Sequence, residues 1–103
     1  MNIVETCFYS EEDETSYTYY GIITHLQQSW YSVDLFACSA KPHNQWPQIF
    51  PESGSFKLRF DGDRYTGSGK VYDDERAPKK AIWHSVGIDQ LGPAVRNLYD
   101  TAN

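Results

Sequence analysis

Three histidines and two cysteines are the side chains of this sequence best suited to bind a metal ion or to assist catalysis. They are Cys7, His25, Cys38, His43 and His84. Structural zinc sites use closely spaced pairs of such residues, whereas here no two lie nearer than five positions apart. The spacing therefore predicts no metal centre and no cofactor, and the absence of a secretory signal favours two unpaired thiols.

Acidic pairs and glycine-rich stretches also lack the patterns that catalysis or phosphate binding requires. Asp61-Gly62-Asp63 begins like a calcium loop, but Tyr72 stands where the twelfth-position Glu is needed. It is therefore predicted to be a hairpin turn. Residues 67–70 resemble a phosphate loop only superficially, because Arg64 replaces its first glycine. With no nucleophile motif either, we expect no catalytic residue that the sequence can identify.

Charge is distributed unevenly along the chain. The net charge is −5, yet residues 1–40 contain six acidic residues and no Lys or Arg. Residues 41–103 contain eight acidic and nine basic residues, and are therefore nearly balanced. Four of the acids are consecutive, Glu11, Glu12, Asp13 and Glu14. Because opposed potentials steer association, this asymmetry predicts a partner protein with a basic surface.

The second half of the chain contains the basic residues that could form a nucleic-acid-binding surface. The best candidates are Arg64, Lys70, Arg76, Lys79 and Lys80, close in sequence to Tyr65 and Tyr72. Five acidic residues of the same region offset those charges, and the sequence pI is near 5.0. We therefore expect no direct binding of nucleic acid.

Aromatic residues are concentrated in the acidic part, where five of the eight tyrosines lie. Tyr and Trp are frequent in binding hot spots. The predicted partner-binding residues are Glu11, Glu12, Asp13, Glu14, Tyr17, Tyr19, Tyr20 and Trp46. In the segment 17–26 both faces of an extended chain carry apolar groups, so one face must be covered or remain exposed.

The elements that position these residues are predominantly strands. Residues 31–37 alternate between apolar and polar side chains, a period of two that predicts a strand with one wet face. Similar composition and alternation predict strands at about 2–9, 17–27, 30–38, 55–61 and 64–72. Residues 39–54 contain three prolines and no periodicity, which predicts a long irregular loop. For residues 81–86 the pattern leaves strand and helix lead-in open.

The C-terminal segment has the pattern of an amphipathic helix. Its apolar residues recur at helical spacing, with Asp89 as a possible N-cap and Pro93 in the first turn. They are Leu91, Val95, Leu98, Tyr99 and Ala102. We expect a helix at about 90–101, packed against Phe56, Leu58 and Phe60. The predicted fold is α+β: a small antiparallel sheet of about five strands with one C-terminal helix.

Length and composition limit the class of protein. The 103 residues suit one domain, 1–103, and no apolar run approaches the roughly 18 residues that span a bilayer. We therefore expect a cytoplasmic protein that binds no membrane, and the sequence leaves its oligomeric state open.

These features favour a binding protein over an enzyme. The function expected from the sequence is a stoichiometric inhibitor or immunity-type protein that blocks a basic site, such as a nucleic-acid-binding site, on a partner protein. Small inhibitors encoded by phages or other mobile elements share this size and charge. The alternative is a small enzyme or ligand-binding domain with a pocket near residues 39–54, because sites assembled from distant residues leave no signature in one sequence.

Overall fold

Extended segments with alternating burial form most of the structure. It is a computed structural model that describes residues 3–67 and 81–102. In β2, for example, Thr15, Tyr17 and Tyr19 are buried and the residues between them are more exposed. The strands of the described part are β1 (Ile3–Ser10), β2 (Thr15–Gln27), β3 (Trp30–Pro42), β4 (Gln48–Pro51), β5 (Ser55–Phe60), β6 (Tyr65–Gly67) and β7 (Ile82–Val86). A 3-10 helix, Ile88–Gln90, precedes the α-helix α1 (Pro93–Ala102).

Six of these strands close into an antiparallel barrel. Around the barrel, β1 pairs with β2, β2 with β3, β3 with β5, β5 with β6, β6 with β7, and β7 again with β1. The remaining strand, β4, pairs with the C-terminal half of β3. The predicted fold class, α+β with a small antiparallel sheet of about five strands packed against one C-terminal helix, is therefore wrong. Closure depends on the pairing of Ile3 with Val86, which are far apart in sequence and leave no local pattern.

Irregular pairing between β2 and β3 bends the barrel wall. The register shifts between Tyr20 and Gly21, so that Phe36 lies between the partners of these two residues. A β-bulge of this kind increases the local bend and twist of a strand. Gly21 is required at the bend, because a Cβ atom there would collide with Cγ2 of Val33. The backbones of β2 and β3 can therefore approach closely at this point.

Two apolar clusters lie on opposite sides of the barrel wall. The interior is filled by buried side chains from β1, β2, β3, β5 and β7. They include Val4, Tyr17, Tyr19, Ile23, Val33, Leu35, Cys38, Leu58 and Trp83. The outer cluster joins Val95 and Tyr99 of α1 to Ile3, Phe36 and Ala37 on the outside of the wall. The helix thus covers one outer patch of a barrel whose interior is packed with side chains.

The helix packs against different strands from those predicted. Val95 and Tyr99 are buried, and Leu91 and Leu98 pack against the same cluster, as their spacing indicated. However, Leu58 points into the barrel, and Phe60 stacks near Tyr65 on β6. The side chain of Phe56 lies outside the described part. The prediction assumed that the helix covers the apolar face of β5, but barrel closure buries that face in the interior.

Half of the predicted long loop at 39–54 is strand. Residues 39–42 continue β3, and 48–51 form β4 in register with it. The turn between them, 43–47, contains Asn44 in the left-handed region with φ 58°. Prolines are accepted here because Pro42 and Pro51 lie at strand ends, where a missing N–H removes few ladder bonds.

Other predicted elements are found with shifted bounds. The segment 81–86, left open between strand and helix, contains β7. Of the strand predicted at 64–72, β6 accounts for Tyr65–Gly67, and residues 68–80, which include most of the rejected basic stripe, lie outside the described residues. Asp89 lies within the 3-10 helix and does not cap α1, which begins at Pro93. Within the ranges 3–67 and 81–102, no helix has the length and apolar character needed to cross a membrane.

Candidate partner interface at the acidic end

The four consecutive acids form the turn that joins β1 to β2. All four residues are exposed, and Glu14 adopts a left-handed conformation with φ 50°. Asp13 differs from its neighbours because its Oδ2 accepts a hydrogen bond of 2.6 Å from the hydroxyl of Tyr17. Its backbone carbonyl also accepts a bond of 2.9 Å from Oγ1 of Thr15. Asp13 therefore helps to shape the turn, whereas the glutamates project into solvent.

Trp46 lies in the neighbouring turn, at the same end of the barrel. The pairing of Thr15 with Pro42 brings the β1–β2 and β3–β4 turns side by side. The backbone N–H of His43 then donates a hydrogen bond of 2.9 Å to the carbonyl of Glu14. Trp46 is 90% exposed. We call residues 11–14 and 43–47 together the acidic end; it unites four of the predicted carboxylates with the predicted tryptophan.

The predicted tyrosines do not join this surface. Tyr17 and Tyr19 are only 4% and 0% exposed and lie inside the barrel. Tyr20 is half-buried on the outside, where its ring approaches Phe36 beneath the helix. The prediction is corrected for Tyr17 and Tyr19, whose side chains pack in the core. The reason is that closure buries one face of β2 and α1 covers part of the other.

Burial also determines the ionisation of Tyr20. Removal of its hydroxyl from water raises the pKa of Tyr20, and the nearby Glu5 and Cys7 raise it further. The side chain therefore stays neutral at physiological pH and adds no charge to this part of the surface. Its contribution is to packing between the barrel wall and the helix.

Two further exposed side chains lie near the acidic end. Tyr9 is exposed on β1, where it pairs with Ser16, and Ile49 is exposed on β4, opposite Ser39. Parity along β1 places Tyr9 on the outer face, and that signal is visible in the sequence. Ile49 could not be found this way, because β4 itself was predicted to be irregular loop.

The histidines and the acidic pair at 61–63 have local structural roles. Nε2 of His25 donates a hydrogen bond of 2.8 Å to the carbonyl of Gln28, while His84 pairs in register with Glu5. Oδ1 of Asp61 accepts backbone N–H bonds from Arg64 and Asp63, which lower the pKa of Asp61. The predicted hairpin turn at 61–63 is confirmed. In the part of the chain that the structure describes, no group of three or more His, Cys, Asp or Glu residues is arranged to hold a metal ion.

The two cysteines lie on opposite sides of the barrel wall. Cys7 is exposed on β1, and Cys38 is buried in the interior on β3. Because β2 separates these strands, the two Cα atoms are about 10 Å apart, beyond the reach of a disulfide. Neither cysteine takes part in a disulfide between described residues.

This arrangement predicts unequal reactivity of the two thiols. Under native conditions a maleimide should modify Cys7 and leave Cys38 intact, because only Cys7 is accessible. Intact-mass spectrometry should show one adduct in buffer and two in denaturant, and Cys7→Ser should reduce the native count to zero. Rapid double labelling of the native protein would contradict the placement of Cys38 in the core.

Two surface clefts are formed by described residues, and neither includes any of residues 39–54. One of about 400 Å³ lies between β1 and β7 and is lined by Glu5, Cys7 and His84 among others. The other, of about 340 Å³, lies at the far end of the barrel beside Leu26 and Trp30.

The chain was compared with known families, curated proteins and solved structures, and none of them matches it.

Proposed function

We propose that this chain is a stoichiometric binding protein, of the inhibitor or immunity type, whose acidic end covers a basic surface on a partner protein. The basic surface that it fits is of the kind that binds nucleic acid, since such sites present clustered Lys and Arg to an anionic ligand. We place this interaction in the cytoplasm, where both thiols stay reduced.

A single observation carries the proposal: a highly exposed tryptophan lies in a turn that adjoins the turn of four carboxylates. Trp46 is 90% exposed in a turn that is hydrogen-bonded to the acidic turn through His43 and Glu14. Exposed aromatic side chains contribute strongly to the free energy of binding when a partner buries them. Surrounding carboxylates accelerate encounter with a cationic surface and disfavour anionic competitors.

Within the acidic turn, the three glutamates can be changed separately from Asp13. Glu11, Glu12 and Glu14 are exposed, and Asp13 is engaged by Tyr17. Changing the three glutamates to glutamine should remove charge without disturbing the hydrogen bonds of Asp13. The steering contribution can thus be tested apart from the stability of the fold.

The experiment captures partners from native cytosol on immobilised protein and then measures association with the captured partner by surface plasmon resonance. Glu11→Gln/Glu12→Gln/Glu14→Gln should lower the on-rate roughly ten-fold at low salt, because the steering potential is lost. The dependence of the on-rate on ionic strength should become flatter.

A matched variant controls for net charge. Asp63→Asn/Asp89→Asn/Asp100→Asn removes the same charge from exposed positions outside the acidic end. It should retain the wild-type on-rate to within about two-fold if local placement governs steering. Equal loss of on-rate in both variants, or in neither, would reject the acidic end as the contact surface.

A further inference from the structure

A second polar surface lies on the outside of β3 and β5, at the far end from the acidic turn. Trp30 on β3 pairs in register with Arg59 on β5, and Ser32 pairs with Lys57. These four side chains share the outer face, because Tyr31 between them packs against the interior core. This surface and the acidic end lie at opposite ends of β2. The 13 residues of β2 span roughly 40 Å at the usual rise per residue of a strand.

The surface contains a cleft with one aromatic and one cationic wall. Leu26, Gln27, Trp30 and Lys57 line a volume of about 340 Å³. Trp30 is 36% exposed. The guanidinium carbon of Arg59 lies 5.9 Å from the centroid of the Trp30 ring, and this cation–π contact orients the indole. The cleft is at the lower end of the size range of small-molecule sites.

Neither Lys57 nor Arg59 forms an ion pair with a carboxylate of a described residue. The ion pairs between described residues join Arg64 to Asp61 and Arg96 to Asp100. Asp34, two positions along β3 from Ser32, accepts a hydrogen bond from the hydroxyl of Ser55. Lys57 and Arg59 are therefore available to an anion that approaches from solvent.

We propose that this cleft binds a nucleotide unit, with the base stacked on the Trp30 ring surface that Arg59 does not cover and the phosphate held by Lys57 in the cleft wall and by Arg59 beside the indole. A planar π-system is the natural partner of a partly exposed indole, and every nucleobase offers one. A phosphate supplies the negative charge that two adjacent cations require. The same chemistry occurs in a free mononucleotide and in a single strand, so both are tested.

This site differs from the basic stripe that the sequence analysis rejected. The rejected residues begin at Arg64 and continue to Lys80, and acidic residues are interspersed among them. Lys57 and Arg59 alternate with apolar residues on β5, a pattern that predicted only a strand with basic side chains in water. Their relation to Trp30 depends on strand pairing.

The test uses NMR of the ¹⁵N-labelled full chain, with adenosine monophosphate in one titration and an eight-residue oligothymidylate in another. Saturable amide shifts should cluster at Leu26, Gln27, Trp30, Ser32 and Lys57 with at least one probe. Stronger binding of the oligonucleotide assigns the site to single strands, and stronger binding of the mononucleotide assigns it to free nucleotides. No saturable shift with either probe overturns the proposal.

Variants then test the two contacts separately. Trp30→Ala should weaken binding about ten-fold, because one base loses its stacking surface. Lys57→Ala should weaken binding of the oligonucleotide and reduce its salt slope by about 0.7, the value for one lost phosphate contact on a single strand.

Trp46→Ala and Lys41→Ala are the matched controls, because both residues are exposed and lie at or near the acidic end. Neither should change nucleotide affinity. Equal weakening by Trp30→Ala and Trp46→Ala, or binding unaffected by Trp30→Ala in a variant whose spectrum shows the native fold, would overturn the site. Failure of this test leaves the partner experiment at the acidic end unaffected, because the residues differ.

Discussion

Trp83→Ala is expected to lower the free energy of unfolding by about 3–5 kcal/mol, the usual cost of removing a buried Trp or Phe side chain. Trp83 is 0% exposed and belongs to the interior cluster. It lies on β7, in register with Tyr65 of β6. A loss of this size consumes much of the stability of a small domain, which is typically about 5–15 kcal/mol.

Urea denaturation followed by far-ultraviolet circular dichroism measures this effect. Trp46→Ala is the control, since a residue that is 90% exposed should change stability by less than about 0.5 kcal/mol. If Trp83→Ala were as stable as the control, the side chain would not be in the core. The segment Ile82–Val86 would then not close the barrel as the structure shows.

The second large effect is expected at the acidic end. Trp46→Ala should weaken binding of the captured partner by about 30-fold or more, equivalent to the 2 kcal/mol that defines a hot spot. The change should appear mainly in the off-rate, because burial of the indole stabilises the formed complex and does not steer encounter. Surface plasmon resonance separates the two rates.

Trp30→Ala is the matched control for this measurement, since it removes a partly exposed tryptophan of β3 that lies beside the end of β2 away from the acidic end. It should leave the off-rate of the partner unchanged. A normal off-rate for Trp46→Ala would show that the aromatic anchor lies elsewhere, and Tyr9 and Ile49 would be the next exposed side chains to replace.

Local patterns were sufficient to locate most of the secondary structure. Alternation along residues 31–37 identified β3, and Asp61-Gly62-Asp63 identified a turn that the structure confirms with two backbone bonds to Asp61. Helical spacing identified Val95 and Tyr99 as buried residues of α1. The acidic turn was also evident, because four consecutive charged residues between two strands must lie in water.

Only the tertiary structure determined which face of each strand is buried in the barrel interior and which is covered by the helix. A period of two shows that the faces of β2 differ, but not that one faces a barrel interior and the other a helix. Tyr17 and Tyr19 were therefore assigned to a binding surface although both are buried.

Barrel closure and both candidate sites depend on pairings between distant residues. Ile3 meets Val86 to close the barrel, Glu14 meets His43 to bring Trp46 beside the acids, and Trp30 meets Arg59. Such pairings stabilise the fold only when the rest of the barrel has formed, because closing the long loops between the paired residues costs conformational entropy. A local sequence pattern cannot predict these pairings, because the cooperative packing of the whole barrel determines which residues pair.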